Sequence, residues 1–243
     1  MTTVLLLHGQ PGTAGDWAGV AAELRGRGLR VLAPDRPGYG TSSLPAGGFE
    51  HNARAMAGLL DGPAVVAGHS WGAGVGLALA RTVPGKVRAL VLIAPVTPTD
   101  RLGRVDRVLA GRRTGPLIAR ASFLGATAAI ALPPLRRRIE PLVPGADASR
   151  WPELARSWRT FWVEQRALFD DLPALGGAVT VPSTVIVGAR DHVISSDSAR
   201  RYATSIGARL VEVPDAGHLL PMQRPAEVAR AIAAATSELR GAR

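Results

Sequence analysis

Four short apolar runs constrain this chain more than any other feature: Val4–Leu7, Ala64–Ala67, Ala89–Ala94 and Ser183–Gly188. Each is short for a helix and carries Leu, Val, Ile or Ala at consecutive positions, the pattern of a strand covered on both faces. Arg30–Ala33 and Arg209–Val213 read as two further strands of more polar character. Between the strands, apolar residues recur every three or four positions. The sets are Trp17, Val20 and Leu24; Phe49, Ala53, Met56 and Leu60; Ala199, Tyr202 and Ile206; and Val228, Ile232, Ala235 and Leu239. That spacing predicts helices. Asp16 is placed to cap the first, Gly26 and Gly28 to end it, and Pro225 to open the last, where its missing N–H is tolerated. Strands alternating with helices predict an α/β fold: a doubly wound, mostly parallel sheet of about six strands with right-handed crossovers. Such sheets bind ligands beyond the carboxyl ends of their strands.

The alternation stops between about Thr97 and Leu175, where no buried-strand pattern occurs. Leu117–Leu132 and the stripe Leu154, Trp158, Phe161, Gln165, Leu168 read as amphipathic helices. Three of the five tryptophans (Trp151, Trp158, Trp162) and three of the four phenylalanines (Phe123, Phe161, Phe169) fall here, so the segment has an apolar face to bury. The expected organisation is a core of residues 1–97 and 176–243 with a helical insertion, 98–175.

Gly68-His69-Ser70-Trp71-Gly72 joins the run Ala64–Ala67 to the small-residue stretch Ala73–Ala80. Physically this is strand, sharp turn, helix, with a serine at the apex. The flanking glycines let strand and helix approach without a Cβ clash. The helix N-terminus offers N–H groups to negative charge developing at the serine.

The absence of cysteine excludes disulfides and thiolate metal sites. The histidines are scattered, no acidic cluster has ligand spacing, and Gly74-Val75-Gly76 completes no nucleotide-binding fingerprint, so no metal and no cofactor is expected. Met1–Gly9 lacks the basic and apolar regions of a secretory signal, and no run reaches the roughly 20 apolar residues of a spanning helix, which points to the cytoplasm. The formal charge of +10 comes almost wholly from arginine, since Lys86 is the only lysine. With no basic-aromatic motif beside it, this charge reads as a solvated surface. A small-molecule substrate is expected, no nucleic acid, and at most a weak peripheral contact of the basic insertion with an anionic bilayer. Oligomeric state is not legible.

Five stretches, His8–Gly12, Asp35–Ser42, the serine turn, Gly188–Asp191 and Ala216–His218, come in an order that resembles the α/β-hydrolase superfamily, in its cap-bearing branch with a serine nucleophile. They span nearly the whole chain. The family usually has two more strands before the His-Gly loop, so this sheet is expected to be smaller, lacking the usual first two strands, and 98–175 is expected to be a cap. The resemblance implies that Ser70 is the nucleophile, His218 its general base and Asp191 the acid that orients the imidazole. Asp215 and Asp197 are the competing acids; His8, His69, Asp35 and Arg36 are read as structural. The backbone N–H groups of Gln10 and Trp71 would form the oxyanion hole. The Gln10 side chain either touches substrate or ties down its loop. Trp17, Phe123, Trp158, Trp162 and Leu219 are the candidates for substrate contact. The implied reaction is hydrolysis of a carboxylic ester, or a related acyl bond, of a small and mostly apolar substrate through an acyl-enzyme. An acyltransferase or thioesterase using the same acyl-enzyme, and a non-catalytic ligand-binding protein, are the alternatives. Serine in place of aspartate argues against the family's haloalkane dehalogenases and epoxide hydrolases. Leu219, where the C–C hydrolases commonly carry an aromatic residue, disfavours that branch.

Overall fold

Six strands form one parallel sheet in the order β2-β1-β3-β4-β5-β6: β1 (Thr3–Leu7), β2 (Arg30–Leu32), β3 (Ala64–His69), β4 (Val87–Ile93), β5 (Ser183–Gly188) and β6 (Arg209–Val213). The structure, a computed structural model, describes residues 1–100, 102–139 and 148–241, except for the side chains at 139, 148 and 239–241. The side chain of Leu239, the last member of the final helical set, lies outside the described residues.

The consecutive apolar runs are explained by two cores. Leu5, Leu7, Val66, Leu90, Leu92, Val185 and Val187 point into one, against α2 (Phe49–Ala57), α3 (Trp71–Thr82) and α9 (Ser196–Ser205). Val4, Leu6, Val65, Ala67, Val91, Ile93 and Ile186 point into the other, against α1 (Ala18–Gly26) and α11 (Pro225–Gly241). Alternate side chains thus meet opposite layers, and both must be apolar. The short α10 (Leu220–Gln223) leads into α11.

The connection from β4 to β5 is helical over its described residues: α4 (Arg104–Ala110), α5 (Thr114–Ala131), α6 (Pro133–Ile139), α7 (Trp151–Leu154) and α8 (Trp158–Asp170). Two local expectations are corrected. The stripe from Leu154 to Leu168 is broken, because a 3₁₀ turn at Ala155–Ser157 separates α7 from α8. Asp16 does not cap α1. It lies within a 3₁₀ turn (Ala14–Trp17), where its Oδ2 accepts the Thr13 N–H at 3.2 Å and Oδ1 pairs with Arg150 at 2.5 Å. An acid in a first turn serves the free N–H groups there as well as a cap residue does. Among the described residues, no helix is long and apolar enough to cross a membrane.

Candidate active site

The loops singled out in the sequence converge beyond the carboxyl ends of the strands. Gln10 follows β1, Ser70 follows β3, Asp191 follows β5 and His218 follows β6. The strand order reverses between β1 and β3, the position where such sheets open a crevice.

Ser70 occupies the turn between β3 and α3 at φ 53°, ψ −118°, a region that non-glycine residues rarely visit. Its N–H donates to the Ile93 carbonyl at 2.8 Å, which pins the turn to β4. The turn closes only because its flanks are bare. A Cβ on Gly68 would lie 2.3 Å from the Gly72 carbonyl oxygen, and one on Gly72 would lie 2.3 Å from that of Leu7.

Ser70 Oγ lies 3.0 Å from His218 Nε2, and His218 Nδ1 lies 2.9 Å from Asp191 Oδ2. Burial pushes the Asp191 carboxyl up, but the His218 hydrogen bond and charge and the N–H groups of Ile194 and Val193 outweigh it, so the group sits below its ordinary value. Those two N–H groups reach Asp191 Oδ1 at 2.9 and 2.8 Å. An ionised carboxylate only accepts, so Nδ1 carries the imidazole proton and Nε2 is left to accept from the serine hydroxyl. The competing acids lie elsewhere: Asp215 pairs with Arg190 at 2.7 Å and Asp197 with Arg200 at 2.6 Å. His69, pushed down to about 3 by burial and by His218, is neutral, and its Nε2–H donates to the His218 carbonyl at 2.8 Å. It holds the backbone of the base.

Trp71 is the first residue of α3, so its N–H has no carbonyl one helical turn back. The Gln10 N–H has no backbone partner among the described residues. The side chains of the same two residues are tethered to a single helix. Gln10 Nε2 donates to the Phe161 carbonyl at 2.8 Å, and Trp71 Nε1 to the Glu164 carbonyl at 3.3 Å, both on α8. Gln10 therefore ties its loop down. Beneath it, Arg36 donates from Nε to the His8 carbonyl at 2.8 Å and from Nη2 to the Gly9 carbonyl at 2.9 Å. Its guanidinium pairs with Glu164 of α8, and the Tyr39 hydroxyl donates to the same carboxylate at 2.7 Å. Arg36 and Glu164 are wholly buried, and the guanidinium lies 4.6 Å from the centre of the Trp71 ring. His8, held well below its ordinary value by burial and by Arg36, donates from Nδ1 to the Gly9 carbonyl and accepts the Arg36 N–H at Nε2. Glu164 was not singled out in the sequence. Its one signal is an acid one helical turn from Phe161 and Leu168, which reads equally well as a surface position.

A cleft of about 1010 Å³ opens on Ser70, Gln10 and His218. None of the five expected substrate-contact residues lines it. Trp17 is buried in the α1–α11 core, its indole N–H without an acceptor among the described residues. Phe123 packs behind Phe161 at a ring distance of 5.5 Å. Trp162 donates to the Gly111 carbonyl at 3.3 Å, Trp158 lies beneath Arg159, and Leu219 precedes α10. The lining comes instead from Phe161, Gln165 and Leu168 of α8, with Leu102, Leu109 and Arg201 among the others. Those three α8 residues belong to the amphipathic stripe read from the sequence. The stripe marked the cleft wall, whereas aromatic content pointed to its supports.

Comparison with known proteins places these features in context. The family described as the alpha/beta hydrolase family matches residues 4–231. Lipase LipV of Mycobacterium tuberculosis is 32% identical over 94% of this chain and 91% of its own length. Epoxide hydrolase A of the same organism is 30% identical over 94% of this chain and 88% of its own. A thermophilic esterase from Thermogutta terrifontis superposes with a TM-score of 0.74 at 27% identity, covering 98% of this chain and 90% of that one.

Proposed function

Since the chain belongs to the alpha/beta hydrolase family, and is a hydrolase, we propose that it cleaves a carboxylic ester of a small, mostly apolar substrate through an acyl-enzyme on Ser70. The observation that carries this reading is the hydrogen-bonded line from Ser70 through His218 to Asp191 at the floor of the cleft. Ser70 Oγ attacks the carbonyl carbon as its proton passes to His218 Nε2, and Asp191 stabilises the imidazolium. The N–H groups of Gln10 and Trp71 hold the oxyanion. Collapse expels the alkoxide, which takes the proton back from His218 and leaves Ser70 acylated. Water then surrenders a proton to His218 and attacks the acyl carbon, and collapse breaks the bond to Ser70 Oγ, which takes that proton back from His218 as the carboxylic acid departs.

In this reading the serine argues against an epoxide substrate, although an epoxide hydrolase is among the relatives. A carboxylate that opens an epoxide leaves an ester for water to cleave. A serine hydroxyl would leave an ether, with no carbonyl for water to attack. In this reading, residues 98–175 form the cap over the core of 1–97 and 176–243, and Phe161, Leu168, Leu102 and Leu109 favour an apolar substrate.

The test is a fluorophosphonate label mapped by mass spectrometry, run beside a panel of p-nitrophenyl esters. A label on Ser70, with ester turnover giving free acid and lost in Ser70→Ala, is expected. A label elsewhere, or epoxide turnover without ester turnover, overturns the proposal. Ester formed with added alcohols in preference to free acid would make the protein a transferase.

A further inference from the structure

Charge is distributed unevenly in this chain. Residues 101–138 contain nine arginines and one acid, Asp106, whereas the other 205 residues carry 20 basic and 18 acidic side chains. Nearly all of the net +10 therefore comes from α4–α6 and the turns around them. Elsewhere the arginines are commonly paired, as in Arg36–Glu164, Arg150–Asp16 and Arg190–Asp215. Arg104, Arg107, Arg113 and Arg120 form no salt bridge with any described residue and are exposed.

The same surface carries exposed apolar side chains. Val105 is 71% exposed, Leu117 71% and Leu124 60%; Val108, Leu132 and Leu135 are exposed too. These are six of the eleven large exposed hydrophobics among the described residues. Arg113, the residue that leads into α5, and Leu117, Arg120 and Leu124 on it follow one another at helical spacing along one face, while Gly115, Ala119 and Phe123 of the opposite face are buried. α4 joins this surface to the cleft, since Asp106 and Leu109 line the cleft while Val105 and Val108 face solvent.

We infer that the exposed face of α4–α6 docks this protein on an anionic lipid bilayer. The leucines and valines would enter the headgroup boundary, and the arginines, with their long stems, would reach lipid phosphates beside them. Each arginine held near an anionic leaflet strengthens binding about fivefold at low salt. A second copy of the same face would bring two strongly positive surfaces together. A nucleic acid would neutralise the arginines but leave the leucines in water, and among the described residues none of the large exposed apolar side chains is aromatic for base stacking. The docking does not depend on the acyl-enzyme reading, and Ser70→Ala protein tests it without turnover.

The experiment is co-sedimentation of the full chain with vesicles of phosphatidylcholine alone or mixed equally with phosphatidylglycerol. Binding to the mixed vesicles and not to phosphatidylcholine is expected, falling at least about tenfold as salt rises from about 0.01 M to 0.1 M. Arg113→Glu/Arg120→Glu and Leu117→Ser/Leu124→Ser should each weaken it by about tenfold or more, with the thermal midpoint and p-nitrophenyl ester turnover unchanged. No binding to anionic vesicles at low salt overturns the inference. So does a leucine variant that binds like the parent, which would mean charge attraction alone, or an oligonucleotide bound more tightly than the vesicles.

Discussion

α5 and α8 lie in the same connection and pack on each other, yet they are held in opposite ways. α5 has one charged residue, Arg120, and nevertheless leaves Leu117 and Leu124 in solvent. α8 has four, Arg159, Glu164, Arg166 and Asp170, and buries Glu164 completely. Composition alone ranks them the wrong way round. The difference lies in the partners. Glu164 meets Arg36 and Tyr39, and the α8 carbonyls receive Gln10 and Trp71, so burying its polar groups leaves none unsatisfied. The outer face of α5, with Leu117 and Leu124, is exposed among the described residues. α8 is thereby an extension of the core that fixes the loops around Ser70, and α5 is a surface.

The sharpest way to break this contrast is Glu164→Leu, which strands a buried guanidinium. It should cost about 3–5 kcal/mol in urea denaturation, with Arg36→Met added on top recovering part of the stability but not kcat, because the His8 and Gly9 carbonyls have lost their donor. A loss under about 1 kcal/mol would mean that the ion pair does not lock α8. On the face α5 shares with α8, Phe123→Ala should cost about 3 kcal/mol. Acid probes the loop facing α8 across the cleft. Asp191 titrates below its ordinary value, so its stabilisation is fully present above that ordinary value and is lost as pH falls through the lowered one. Asp191→Asn should cost about 1.5 kcal/mol at neutral pH and flatten this part of the acid limb of the stability curve, whereas variants of the α5 outer face keep the limb of the parent. Smallest of all, Leu124→Ala should change stability by no more than about 0.5 kcal/mol.

The strands and the site loops were legible because each depends on short-range pattern. A run such as Val4–Leu7 can be buried on both faces only in a covered sheet. Gly68 and Gly72 are demanded by contacts of 2.3 Å that any side chain would violate. The cleft wall was half legible: helical spacing picked out Phe161, Gln165 and Leu168, but the concentration of aromatic rings in the insertion pointed to Trp158, Trp162 and Phe123, which do not line it, and Trp17, a separate candidate, lies in the α1–α11 core. The role of Glu164 was not legible, since an acid in a helix looks the same whether it faces water or a guanidinium contributed from 128 positions away.

The order of the chain thus determined the parallel sheet, the strained serine turn and the three loops that carry Ser70, Asp191 and His218, because turn geometry and strand periodicity act over a few residues. Only the tertiary structure decided which helix of the β4–β5 connection is locked to the core and which is left facing outward. That choice depends on hydrogen bonds and charges between segments far apart in sequence, whose worth depends on whether both partners leave water together.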